Sequence, residues 1–260
     1  MLTISVQDRA GKCLAQASGE ADVELYYQGY YDSGDVILVS GGEGRHLWFQ
    51  VDRALNPAQL YVPSDVFSYR IPTGEARRAH PPQAFSGDRH VISARLATAR
   101  EVAEYRNVAL NPADQRGDVT AFPHVSANAE TRGESVFEAR NVIDGLRLNR
   151  SHGDWPYQSW GVDIAEDAAM TLDFRRPVSI DKMALTIRAD FPHDAYWTGG
   201  EVALSDGSRV AFPLIKTADR QWVDLGAHTV EWVRLGHLVK ADDPSPFPAL
   251  VEWEVYGRDA

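Results

Sequence analysis

Three segments of the chain gather side chains able to grip a polar, ring-shaped ligand. In Arg188-Ala-Asp-Phe-Pro-His-Asp-Ala-Tyr-Trp197, five such residues fall close together: Arg188, Asp190, His193, Asp194 and Trp197. Period-two alternation places Arg188 and Asp190 on one face of a strand end. His152-Gly-Asp-Trp-Pro-Tyr157 brings His152, Trp155 and Tyr157 into one loop-like stretch, with Trp160 just beyond. Lys240-Ala-Asp-Asp-Pro-Ser-Pro-Phe-Pro248 sets Lys240, Asp242 and Asp243 among three prolines. The proline rings stiffen that loop, and a stiff loop loses less entropy on binding. A sugar presents an apolar C–H face and a rim of hydroxyls. Aromatic rings cover such a face, and His, Arg, Asp and Asn bond such a rim. Each segment also has a plainer reading. Arg188 and Asp190 pair to fix a loop, Trp155 anchors one, Trp160 lies in a strand core, and the prolines build a connector.

The same residues admit catalysis. Asp190, Asp194, Asp242 and Asp243 offer carboxylate pairs for glycoside hydrolysis. His152 or His193 with Lys240 offers proton abstraction in a lyase. The chain has no Gly-x-Ser-x-Gly elbow, Walker loop, dinucleotide fingerprint or His-Glu-x-x-His.

Strands must position these segments. Leu2–Val6, Val23–Tyr27, Val36–Val39, His46–Val51, Gln59–Val62 and Phe67–Ile71 read as short strands. Asp32-Ser-Gly-Asp35, Gly41-Gly-Glu-Gly44 and Asn56-Pro57 are the turns between them. The pattern predicts a small β-sandwich over residues 1–72. Residues 73–106 read as a connector, from Pro81-Pro82 and Ser86-Gly-Asp88. Thr98-Ala-Arg-Glu101 has capping-box spacing and opens a short helix through Tyr105. From Asn107 to residue 260 the strand pattern resumes: Met170–Phe174, Met183–Arg188, Val202–Ser205, Val210–Leu214, Trp232–Leu235 and Val251–Tyr256. Ser205-Asp-Gly-Ser208 signals a type I′ hairpin. The expected fold class is all-β.

With 260 residues and 44% hydrophobic content the chain can build real cores. A net charge of -11 argues against nucleic acid and anionic membranes as partners. Cys13, the only cysteine, excludes an intrachain disulfide and a cysteine-rich zinc site. Met1-Leu-Thr-Ile-Ser-Val reads as an amphipathic strand and not as a leader, so a cytoplasmic location is expected; a protein trimmed of its leader reads the same.

Ala139-Arg-Asn-Val-Ile-Asp-Gly145, then Gln158-Ser-Trp-Gly161, then Glu252-Trp-Glu-Val-Tyr-Gly257 occur in the order found in discoidin-like (coagulation factor type C) galactose-binding domains. Met170–Phe174 and Val178-Ser-Ile-Asp-Lys-Met-Ala-Leu185 also resemble strands of that family. The resemblance covers about residues 107–257 and implies a jelly-roll sandwich that binds a carbohydrate. It further implies a structural calcium between Asp144 and Glu252, with Asn149 or backbone carbonyls completing the oxygen shell. Against this, Leu146 and Arg147 stand where the family has small polar residues, and the insert Asn149–Tyr157 departs from its pattern. The rival to calcium is Arg147 neutralising the carboxylates.

The expected function is therefore non-catalytic sugar binding by the C-terminal half, with the N-terminal sandwich as a structural or docking module. A lyase or hydrolase is the alternative. A third reading is a structural subunit whose sandwiches mediate homo-oligomer assembly.

Overall fold

The structure is a computed structural model describing residues 1–117, 119–188 and 195–260. The N-terminal part is a sandwich of eight strands: β1 (Leu2–Gln7), β2 (Cys13–Gly19), β3 (Asp22–Gln28), β4 (Val36–Ser40), β5 (Arg45–Gln50), β6 (Ala58–Val62), β7 (Val66–Arg70) and β8 (Arg89–Leu96). Its sheets run β2-β1-β4-β7 and β3-β8-β5-β6. Alternation sets the faces. In β3, Val23, Leu25 and Tyr27 turn inward; opposite them Ile4, Ile37, Phe67 and Tyr69 fill the core.

Two of these strands fall outside the expected plan. β8 lies inside the segment read as connector, yet it pairs with both β3 and β5. His90, Ile92 and Ala94 alternate inward there; the proline and glycine signals concern only the chain before it. β2 is an edge strand of small and polar residues that buries little, so it left no hydrophobic alternation. The helix α1 (Ala99–Ala103) forms as its spacing predicts. Thr98 Oγ1 accepts from Glu101 N, and the Glu101 carboxylate accepts from Thr98 N at 2.9 Å.

The C-terminal part is a jelly-roll β-sandwich. Its strands are β9 (Arg106–Asn107), β10 (His124–Ala127), β11 (Trp160–Gly161), β12 (Met170–Ile187), β13 (Trp197–Leu204), β14 (Arg209–Pro213), β15 (Gln221–Lys240) and β16 (Ala249–Asp259). Two strands expected from sequence are one here. β12 runs 18 residues, with its register against β15 broken between Asp173 and Val178 and between Ile180 and Lys182. Its first stretch pairs with β10 and β15, and its second with β16 and β15. The long strands thus bend at bulges and serve both layers. Between the layers lie Trp160, Met170, Leu172, Phe174, Met183, Leu185, Trp253 and Val255. The β13–β14 hairpin differs from a type I′ turn. Only Gly207 takes positive φ (91°), and Gly207 N donates to Leu204 O, so a type I turn is followed by a G1 bulge.

Polar contacts join the two parts. Tyr61 and Phe122 exchange backbone hydrogen bonds at 2.8 and 2.9 Å. Asp259 is met by His46 (2.9 Å), Arg106 (2.7 Å) and Arg176. Ser135 Oγ donates to the Glu75 carbonyl at 2.9 Å, and Arg78 pairs with Asp154 at 2.7 Å. No helix among the described residues is long and apolar enough to cross a membrane.

Candidate functional site

The strand ends around β11, the end of β12 and the start of β16 surround a cleft of about 370 Å³. Phe137 and Phe247 supply apolar surface; Arg132, His152, Asp163 and Arg188 supply polar atoms. Phe247 is half exposed on the three-proline loop. Its carbonyl accepts from Arg188 Nη2 at 3.0 Å, and the Ala249 carbonyl accepts from Arg188 N at 2.9 Å. Arg188 is itself buried, so it staples the proline loop to the end of β12. On the other wall the Arg132 guanidinium stands 5.8 Å from the Phe137 ring centre and donates to Glu134 at 2.5 Å. Thr131 Oγ1 accepts from Asp163 N at 3.0 Å. A Cβ at Gly161 would stand 2.7 Å from that same Oγ1, so only glycine allows the two walls to meet there.

Of the residues expected to bind ligand, His152 and Arg188 line this cleft. Trp197 does not. It is buried and its ring lies 6.1 Å from Trp160 at 29°, so it belongs to the sandwich core. The strand that carries it begins with an inward position, which turns the indole away from solvent. Trp155 lies against the N-terminal part: its backbone N–H donates to Arg78 O at 2.8 Å, and the residue lines a small cavity of about 70 Å³ with Pro81 and Pro112. Tyr157 is half-buried in the same turn, its N–H donating to Asp154 O. Lys240 spends its ammonium on its own loop. Nζ donates to Ala241 O (3.0 Å), Asp243 O (2.8 Å) and Ser245 O (3.2 Å), which leaves it a loop clamp and a poor proton-abstracting base. Asp243 accepts from Ser245 N, with Lys216 Nζ at 3.7 Å; Asp242 is exposed. Asp190, His193 and Asp194 lie outside the described residues.

Sequence reasoning missed Phe137, Arg132 and Phe247. The first two come from short 3-10 turns, Ser135–Phe137 and Thr131–Gly133, which carry no periodicity. Phe247 stands among three prolines, whose stiffness suits a connector as well as a binding loop.

A second polar centre sits beneath the Asp-Gly loop. Asp144 and Glu252 are both buried. Asp144 accepts from Gln158 Nε2 at 2.6 Å and from Leu146 N at 2.9 Å; Glu252 accepts from Gly145 N at 3.2 Å. Burial raises the Asp144 carboxyl to about 6. Burial, then the charges of Asp144 and Glu254, push Glu252 well above the ordinary carboxylate range. Gln158 Oε1 is buried without a partner. The donors Asp144, Glu252 and Gln158 Oε1 are all oxygen, the chemistry that a hard cation takes. Among the described residues, no three His, Cys, Asp or Glu side chains cluster as a metal-ligand set, so backbone carbonyls would have to supply the rest. Asn149 gives its amide hydrogens to Ile187 O (2.8 Å) and Ala218 O (3.0 Å), which ties its loop to β12. Arg147 reaches Glu254 at 3.2 Å, and its charge is the last among the causes acting on Glu252, which stays raised in spite of it.

No family model matches the chain, and no curated protein does. Among solved structures, chitosan-binding module 1 of a chitosanase/glucanase from Paenibacillus sp. IK-5 is 19% identical over 58% of this chain and 98% of that one, with a TM-score of 0.39. A fucose-binding module from Streptococcus pneumoniae is 15% identical over 58% and 96%, with a TM-score of 0.41. The lectin domain of lectinolysin, complexed with Lewis B antigen, is 17% identical over 59% and 97%, with a TM-score of 0.44. By their descriptions, then, these neighbours are carbohydrate-binding modules and a lectin domain.

Proposed function

We propose that the C-terminal sandwich binds a carbohydrate, without turning it over, in the cleft between Arg132, Phe137, His152, Arg188 and Phe247. The observation that carries this reading is Phe247: a half-exposed ring on a proline-stiffened loop, across a cleft from Arg and His side chains. The ring suits the C–H face of a pyranose. The guanidinium and imidazole groups suit its hydroxyls. The volume of about 370 Å³ accommodates a short saccharide. Structural calcium between Asp144 and Glu252 belongs to the same reading, holding the Asp-Gly loop to β16 and standing apart from the sugar.

A glycan array followed by calorimetry tests the proposal. Phe247→Ala should weaken the bound glycan by roughly tenfold or more, about the 1–3 kcal/mol of a lost aromatic contact, with the melting temperature unchanged. An empty array ends the carbohydrate reading, and wild-type affinity in Phe247→Ala moves the site elsewhere. Release of a cleaved product from the bound glycan would replace binding with catalysis.

A further inference from the structure

Between the two parts of the chain lies another cavity, of about 390 Å³, lined from both sides and sharing no lining residue with the cleft, although Glu138 and Arg140 directly follow Phe137. Arg140 forms part of its wall and is only 6% exposed. Its Nε donates to Asp114 O at 2.8 Å, and Nη1 lies 3.3 Å from Asn141 Oδ1 and 3.5 Å from His80 Nε2. Among the described residues Nη2 has no hydrogen-bond partner, and no carboxylate stands within ion-pair distance of the guanidinium. An arginine stays charged wherever it is placed, and a buried charge without a close counter-charge is costly. Its neighbour His80 is equally buried, with Nδ1 unpartnered. Burial, then the charges of Arg140 and Arg77, keep that imidazole neutral, well below its ordinary range. The cavity thus carries a buried cation that attracts the Glu138 carboxylate but, among the described residues, makes direct contact with no carboxylate.

The remaining walls define what could answer that charge. Ser68 and Thr73 line the cavity, and neither hydroxyl is engaged among the described residues. Glu138 lines it too, half-buried, its carboxyl raised by burial in spite of the attraction of Arg140. Glu138 opposes a dianion more strongly than a single negative charge; Arg70 and Arg116 also line the cavity, Arg116 paired with Glu130 at 3.1 Å. The volume suits one small ring or short chain.

We propose that this cavity binds a small hydroxylated monocarboxylate, of the sugar-acid class, with its carboxylate on Arg140 and its hydroxyls on Ser68, Thr73 and Glu138. Such a ligand would touch both parts of the chain at once and stand apart from the carbohydrate cleft.

Calorimetry and thermal melts of the full chain with D-glucuronate, D-glucose and inorganic phosphate test the assignment. Glucuronate should bind and raise the melting temperature, at least tenfold more tightly than glucose or phosphate. Arg140→Gln should abolish that binding, whereas Phe247→Ala should retain it, which separates this site from the cleft. Because Arg140 is buried, Glu138→Gln serves as a second variant. It keeps the hydrogen bonds, removes the opposing charge, and should tighten glucuronate about threefold or more. Four results would overturn the proposal: no response to glucuronate, phosphate binding as tightly as glucuronate, unchanged affinity in Glu138→Gln, or loss of binding in Phe247→Ala.

Discussion

Asp144 and Glu252 concentrate the cost of the C-terminal fold in two oxygen-bearing side chains. Their folded values are raised, Asp144 to about 6. A raised carboxyl binds its proton more tightly in the native state than in the unfolded one. Its contribution to stability is therefore full below pH 4 or so and is lost as the pH climbs through 6 and beyond. Metal-free protein should accordingly melt lower at pH 7.5 than at pH 5, and Glu252→Gln should flatten that dependence. Calcium added at pH 7.5 should restore the melting temperature of the wild type by several degrees and leave Asp144→Ala where it was. A melting curve indifferent to both calcium and EDTA would remove the ion. Trp197 gives the contrasting case. Its indole packs on Trp160 inside the sandwich, so Trp197→Ala should cost about 3–5 kcal/mol of stability. Calorimetry on the folded fraction should find sugar affinity kept, the reverse of Phe247→Ala.

At the scale of elements, Lys240 holds the loop after β15 through three of its carbonyls, beside the Asp243 carboxylate that accepts from Ser245 N. Lys240→Met should release those carbonyls and let Phe247 wander. The expected outcome is a several-fold loss of glycan affinity carried by a slower on-rate, with little change in melting temperature, read by surface plasmon resonance. Most strands were legible in the sequence because one face is buried and alternation follows. Where burial fails, as in β2, or covers both faces, as along β16, the pattern weakens. β12 read as two strands because Arg175-Arg176-Pro177 interrupts its hydrophobic run; Arg176 is buried at an inward position, so the alternation of burial runs on from Met170 to Ile180, and β15 pairs on both sides of the register shift. The candidate site was legible in part. His152, Arg188 and Phe247 of the proline loop line one cleft, but the spacing of Trp197 and Trp155 does not disclose which way they face. An indole serves a core and a sugar equally well, and sequence spacing does not tell inside from outside at a strand's first residue.

For the molecule as a whole, Asp259 is the fastening between parts. Burial works against its charge, but hydrogen bonds from His46, Arg176 and Arg106, and the charge of Arg176, hold its carboxyl well below the ordinary range. A lowered carboxyl contributes stability above the ordinary aspartate value and loses it as the pH falls through the folded value. Asp259→Asn would leave buried Arg176 without its counter-charge. It should cost about 3–5 kcal/mol at neutral pH, and calorimetric scans should show one transition in the wild type and two in the variant. A fragment beginning at residue 73 would strip β8 of β3 and β5, so separate expression of the C-terminal part should start beyond Leu96.

The pairing of β9 with β16 also sets a schedule for synthesis. Asn107 Oδ1 accepts from Val255 N across 148 residues, and β12 likewise finds its second neighbour only in β16. A ribosome adding roughly 5–20 residues each second would hold the early strands of this sandwich open-edged for about ten seconds or more. During that interval β12 presents Met183, Leu185 and Ile187 with no layer to cover them. Folding of the second sandwich is in this sense a late event, and the nascent chain is a natural client for chaperones that shield unpaired strand edges.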